Sequence, residues 1–146
     1  MILPNEAASL ALGAGLARVV QAGDVIALSG SLGMGKTSIA RGLLAALGLE
    51  GEAPSPSFAI VQPYERPEVR LPVLHVDLYR IDDPDEVEEL GLEDARLESL
   101  LIVEWPERLG ERAWADALWL TLAPHGSGRA LTAKVPAAWK DRWPLP

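Results

Sequence analysis

Apolar positions along this chain fall into runs whose spacing sets the predicted element. Val25-Ile26-Ala27-Leu28 is unbroken and predicts a buried strand. Leu100-Leu101-Ile102-Val103 has the same form, ends in Glu104, and predicts a buried central strand. Leu71 to Val76 predicts a further strand, made irregular by Pro72, and Phe58-Ala59-Ile60-Val61 a short one. Leu118 to Leu122 and Ala130 to Val135 predict a hairpin around Pro124-His125-Gly126-Ser127-Gly128. Helical spacing appears between these runs. Asn5 can cap a helix reaching about Val20, with Ala7, Leu10, Ala11, Ala14 and Ala17 on one face. Ser38 to Leu47 predicts a second helix, ended by Gly48, and Glu86 to Leu90 a short third. Gly23-Asp24, Gly48 to Pro56 and Pro63 to Pro67 read as turns and loops, and Trp139 to Pro146 is too rich in proline for regular structure.

Composition narrows the class. The 146 residues form most simply one domain, 1–146, with an irregular tail over about 136–146; no repeat or linker divides it. Without cysteine there are no disulfides, thiolate metal sites or cysteine nucleophile, which fits a reducing compartment. No apolar run is long enough to span a bilayer and no signal pattern opens the chain, so a cytoplasmic protein with no membrane partner is expected. A net charge of −8 argues against autonomous nucleic-acid binding, which rests on neutralising phosphates with Lys and Arg. Any RNA in its function should be held by a partner.

The strongest chemical signal is Gly30-Ser31-Leu32-Gly33-Met34-Gly35-Lys36-Thr37, a complete G-x-x-x-x-G-K-[ST] phosphate loop between a predicted strand and a predicted helix opening at Ser38. Its glycines let successive N–H groups turn inward toward phosphate oxygens, and the helix N-terminus adds partial positive charge. Lys36 is placed to reach the β- and γ-phosphates, and the Thr37 hydroxyl to take one position on Mg²⁺. Such a loop needs an acid at the end of a neighbouring strand, and two qualify: Glu104 after Leu101-Ile102-Val103, and Asp77 after Val73-Leu74-His75-Val76. Glu104 has the cleaner apolar run and is the first choice for the metal, leaving Asp77 to orient the attacking water or to bind metal through water. Ser57, in Ser55-Pro56-Ser57, is a candidate γ-phosphate-sensing hydroxyl. His75 reads as a strand histidine with an ordinary hydrogen bond, and Trp105 as packing or as a border of the nucleotide site. The acids from Asp82 to Asp94 read as a solvated face or as a docking surface for a basic partner. No Asn-Lys-x-Asp or Asp-x-x-Gly motif is present, so an ordinary GTPase is excluded. No arginine is obviously aimed at the γ-phosphate. The isolated chain should therefore hydrolyse slowly, because an arginine finger is worth about 10³–10⁵ in rate.

Five ordered blocks resemble one family. They are the loop itself, Ser55-Pro56-Ser57-Phe58, His75-Val76-Asp77-Leu78-Tyr79-Arg80, Glu89-Leu90-Gly91-Leu92 and Val103-Glu104-Trp105-Pro106-Glu107, in the order of the TsaE family. The resemblance implies a P-loop NTPase-like three-layer α/β domain with a mostly parallel central sheet and a C-terminal hairpin. It also implies an ATPase that acts with TsaB and TsaD in threonylcarbamoylation of the adenosine beside the anticodon of tRNAs reading codons that begin with A, its turnover resetting that complex. Carried over to this chain, Thr37 and Glu104 match the Mg²⁺ ligands, Lys36 the phosphate lysine, and Asp77 an aspartate important for hydrolysis. Asn5-Glu6 matches a segment bordering the adenine, and Arg129 a basic residue near the nucleotide. Ser57 stands where the family usually has Thr, and Met34 where it more often has Ala; neither removes a group the loop chemistry needs. Two other classes compete: a small-molecule kinase, which needs an arginine-bearing lid for which Arg66 and Arg70 are weak candidates, and a non-hydrolysing ATP-sensing assembly module.

Overall fold

A computed structural model describes residues 1–31, 33, 35–51 and 61–144. Leu32, Met34, Ser57, the Ser55-Pro56-Ser57-Phe58 block and most of the strand predicted at Phe58–Val61 lie outside the described residues.

Seven strands form one sheet in the order β1-β7-β6-β2-β5-β4-β3. They are β1 (Ile2–Leu3), β2 (Val25–Ser29), β3 (Val61–Tyr64), β4 (Val73–Asp77), β5 (Leu100–Glu104), β6 (Leu118–His125) and β7 (Gly128–Lys134). The centre is parallel: β2 pairs with β5 and β6, and β5 with β4. The margins are antiparallel, β3 on β4 at one side and β6-β7-β1 at the other. Both unbroken apolar runs occupy the middle, and all five residues of β5 are buried. That burial on both faces is why neither run alternates with polar residues.

Alternate side chains of the central strands feed two cores. Ile26, Leu28, Leu100, Ile102, Leu118 and Leu120 pack beneath α1 (Glu6–Ala17) and α2 (Lys36–Ala46). Val25, Ala27, Val76, Leu101 and Val103 pack on the other side with Val87 of α3 (Asp85–Glu88), Leu92 of α4 (Leu92–Ala95) and Leu109. The result is a three-layer α/β arrangement.

Helix α1 is capped by Asn5, whose Oδ1 accepts the Ala8 N–H at 2.9 Å, but its buried face differs from the predicted one. Ser9, Leu12, Gly13, Leu16 and Ala17 point inward, while Leu10 and Ala11 are exposed. An Ala- and Leu-rich helix carries little amphipathic contrast, so close packing on α2 decides its rotation. A Cβ on Gly13 would lie 2.0 Å from the Ile39 carbonyl oxygen, and one on Gly42 would lie 2.1 Å from that of Leu10. Only hydrogens at both positions let the helices approach this closely. Pro63-Tyr64, read as turn, belongs to β3; an edge strand tolerates a proline that donates no ladder bond. The C-terminal residues hold one 3₁₀ turn, Ala137–Trp139, and pack firmly on the body: the Trp139 side chain is fully buried and Arg142 forks onto Asp24 at 2.5 and 3.0 Å.

Candidate functional site

The site forms where β2, β4 and β5 end beneath the start of α2. Gly30 leaves β2 at φ +138°, a conformation that L side chains rarely adopt, and a Cβ there would meet the Leu122 carbonyl oxygen at 2.7 Å. Gly35 caps α2 in the left-handed conformation, and Lys36 and Thr37 open the helix. Parallel pairing puts Asp77 directly beside Glu104. The two-residue period of a strand places His75 on the same face as Asp77. The helix start and both strand-end acids therefore converge as the loop motif requires.

Lys36, Asp77 and Glu104 are all buried, at 4, 8 and 3 % exposure. Lys36 Nζ donates to the Gly30 carbonyl oxygen at 2.5 Å and lies 3.9 Å from the centre of the Trp105 ring. Burial lowers the Lys36 pKa, against the carboxylates of Glu104, Glu107 and Asp77, which raise it. Thr37 Oγ1 donates to Glu104 Oε1 at 3.3 Å. Asp77 Oδ1 accepts the Tyr79 N–H at 2.9 Å. Its carboxyl is nonetheless held above its ordinary range, chiefly by burial and further by the Glu104 charge. Two neighbouring carboxylates facing one lysine make a site suited to a cation. A hydroxyl with hard carboxylate oxygens is a donor set that fits Mg²⁺, which completes its shell with water and phosphate oxygens. Among the described residues no group of three or more His, Cys, Asp or Glu side chains could hold a metal ion.

Trp105 has φ +59° and ψ +47°, an uncommon conformation for a bulky residue, costing about 1–3 kcal/mol. Pro106 follows it and disfavours the ordinary helical alternative. In this position the indole touches both Lys36 and Tyr79, whose ring centroid is 4.9 Å away. Trp105 packs against the second core, as the packing reading expects, and also lies beside Lys36 of the loop. His75 is the strand histidine with a hydrogen bond that the sequence predicts, but its partner, and the contact of Ser29 with Glu107, are not predicted there. His75 Nε2 lies 2.6 Å from Glu104 Oε2, and Ser29 Oγ donates to Glu107 Oε2 at 2.5 Å. Strand periodicity could have put His75 with Asp77; reaching Glu104 also needs the register of β4 on β5.

Asn5, Glu6 and Arg129 meet at the other end of the loop. Together with Ser9, Gly33, Gly35 and Ser38 they line a cavity of about 200 Å³. Arg129 Nη2 donates to the Gly33 carbonyl oxygen at 2.9 Å, tying the β6–β7 hairpin to the loop. The structure thus gathers Asn5, Glu6, Gly33, Gly35, Lys36, Thr37, Ser38, Asp77, Glu104 and Arg129 around one loop. Among the described residues no helix is long and apolar enough to cross a membrane.

Comparison with known proteins gives a consistent result. The family model for threonylcarbamoyl adenosine biosynthesis protein TsaE matches residues 3–131. A tRNA threonylcarbamoyladenosine biosynthesis protein TsaE from Streptomyces coelicolor is 40 % identical over 112 residues, covering 76 % of each chain. One from Synechocystis is 43 % identical over 113 residues, covering 73 % of this chain and 69 % of its own. The crystal structure of Bacillus subtilis YdiB superposes with a TM-score of 0.71 at 27 % identity, over 88 % of this chain and 79 % of that one.

Proposed function

The chain belongs to the TsaE family of tRNA threonylcarbamoyladenosine biosynthesis proteins, and from that premise we propose that it is a Mg²⁺-dependent ATPase. Its partners are TsaB- and TsaD-like proteins, which it resets by hydrolysis between rounds of threonylcarbamoylation of the adenosine beside the anticodon. The tRNAs concerned read codons that begin with A. The observation that carries this reading is the meeting of Lys36 and Thr37 with Glu104 and Asp77 at the mouth of a glycine loop.

In this proposal the loop N–H groups and the α2 N-terminus cradle the phosphates, and Lys36 supplies a fixed cation toward the β- and γ-phosphates. Thr37 Oγ1 and Glu104 hold Mg²⁺, which when bound offsets charge building on the phosphate oxygens. Asp77 orients the attacking water, a role that suits a carboxyl whose proton affinity burial has raised. Asn5, Glu6 and Arg129 border the nucleoside end. The net charge of −8 leaves tRNA to the partners.

Phosphate release from ATP, with and without TsaB- and TsaD-like proteins, tests the proposal. Slow turnover alone should rise with the partners, and Glu104→Ala should lower Mg²⁺-dependent turnover by about 10²-fold or more while the chain still folds. Fast transfer to a small-molecule acceptor with no response to the partners would instead identify a kinase, and binding without turnover an ATP-sensing module. If Asp77→Ala removes the metal dependence and Glu104→Ala does not, the two acids have exchanged roles.

A further inference from the structure

We propose that His75 is a positioning residue that fixes which oxygen of Glu104 is offered to the metal; this rests on the reading of Glu104 as a metal ligand. His75 is 1 % exposed, between Val73 and Asp77 on one face of β4 and beside Ile102 of β5, where the buried layer passes from apolar side chains to the two acids. A polar ring in such a layer needs a partner, and it has one. Nε2 lies 2.6 Å from Glu104 Oε2, while the other oxygen, Oε1, faces Thr37 Oγ1 at 3.3 Å. Each carboxylate oxygen therefore has its own protein partner, and His75 occupies the one turned away from Thr37.

The ring's own surroundings fix its role. An ionised carboxylate only accepts hydrogen bonds, so Nε2 carries the proton and donates. Nδ1 is buried and has no hydrogen-bond partner among the described residues. His75 is thus held as an Nε2–H donor aimed at Oε2. Without that bond the Glu104 side chain is free to rotate Oε1 away from Thr37, and each metal-binding event would have to restore the orientation.

The experiment compares His75→Gln, whose amide N–H reaches about where Nε2 stands, with His75→Asn, whose amide stops near the Nδ1 level. Both are melted first to establish folding. Should His75→Asn fail to fold, His75→Leu, which suits the apolar face, takes its place with the same expectation. ATP binding is followed by calorimetry in excess EDTA and across a Mg²⁺ titration. His75→Asn should need about 10–100-fold more Mg²⁺ to tighten ATP binding, His75→Gln should stay within about threefold of wild type, and binding in EDTA should be unchanged in both. A variant lacking the donor with a wild-type Mg²⁺ response, or equal losses in His75→Gln and His75→Asn, would overturn the inference and leave the metal site standing. A wild-type chain whose ATP binding ignores Mg²⁺ would instead overturn the metal-ligand reading of Glu104, and this inference with it.

Discussion

Asp77 shows at residue scale how the site is set against the stability of the fold. Burial, reinforced by the Glu104 charge, raises its pKa, although the Tyr79 N–H bond pulls the other way. A folded-state pKa above the unfolded one means that the native state holds the proton more tightly. Wild-type stability therefore falls as pH rises from the ordinary carboxylate value through the raised one. Asp77→Asn keeps an oxygen for the Tyr79 N–H and removes the charge. Its melting temperature without ligand should match wild type at acid pH and pull ahead through that window, reaching an advantage of about 1 kcal/mol, or roughly 2–4 °C, near neutrality. Turnover should be lost in the same variant. Melting curves between acid and neutral pH check the sign: a variant less stable at neutral pH would show that Asp77 is a net structural asset. The loop and its two acids were legible in the sequence because each is a local pattern, a glycine motif or an acid ending an apolar run. The bond from His75 to Glu104 was not, since it spans 29 residues and depends on how β4 registers on β5.

At the scale of elements, the α1–α2 contact reverses an ordinary propensity argument. Alanine is favoured over glycine inside a helix by about 1 kcal/mol. At Gly13 the added methyl would meet the Ile39 carbonyl oxygen at 2.0 Å and the Leu43 N at 2.7 Å, both backbone atoms that cannot turn aside. Gly13→Ala should therefore lower stability by about 3 kcal/mol, read as a fall in the denaturant midpoint; an unchanged or higher midpoint would contradict the close crossing. This contact also explains why the existence of α1 was readable and its orientation was not. Asn5 announces the cap locally, whereas the choice of the Ser9-Gly13-Leu16 face over Leu10-Ala11-Ala14 is made by contacts with Ile39, Gly42 and Leu43 of α2. The hairpin was readable for the opposite reason. Its strands and its glycine-bearing turn are contiguous; the structure extends the first strand to Leu118–His125, shifts the second to Gly128–Lys134 and so tightens the turn.

At the scale of the whole molecule, the sheet order brings distant segments to one place. β5 enters between β2 and β4, which sets Glu104 beside both the loop strand and Asp77; the hairpin lies beyond β2, where Arg129 reaches Gly33. Periodicity specifies none of these neighbours. The parallel centre was anticipated through the family blocks, which the family match over residues 3–131 bears out. The C-terminal residues gave no sign of their role, because Trp139 is buried in the core and Arg142 forks onto Asp24 and reaches Val19 in the connection between α1 and β2. We propose that this arrangement presents Lys36 to nucleotide phosphates. Its most direct test is the equilibrium affinity of the folded chain for ATP with Mg²⁺, measured beside Lys36→Ala of equal fold content. The wild type should bind, and the variant should lose about tenfold or more in affinity, the removal of one charge-assisted phosphate contact. Equal affinity in the two chains, or no binding by the wild type, would contradict it.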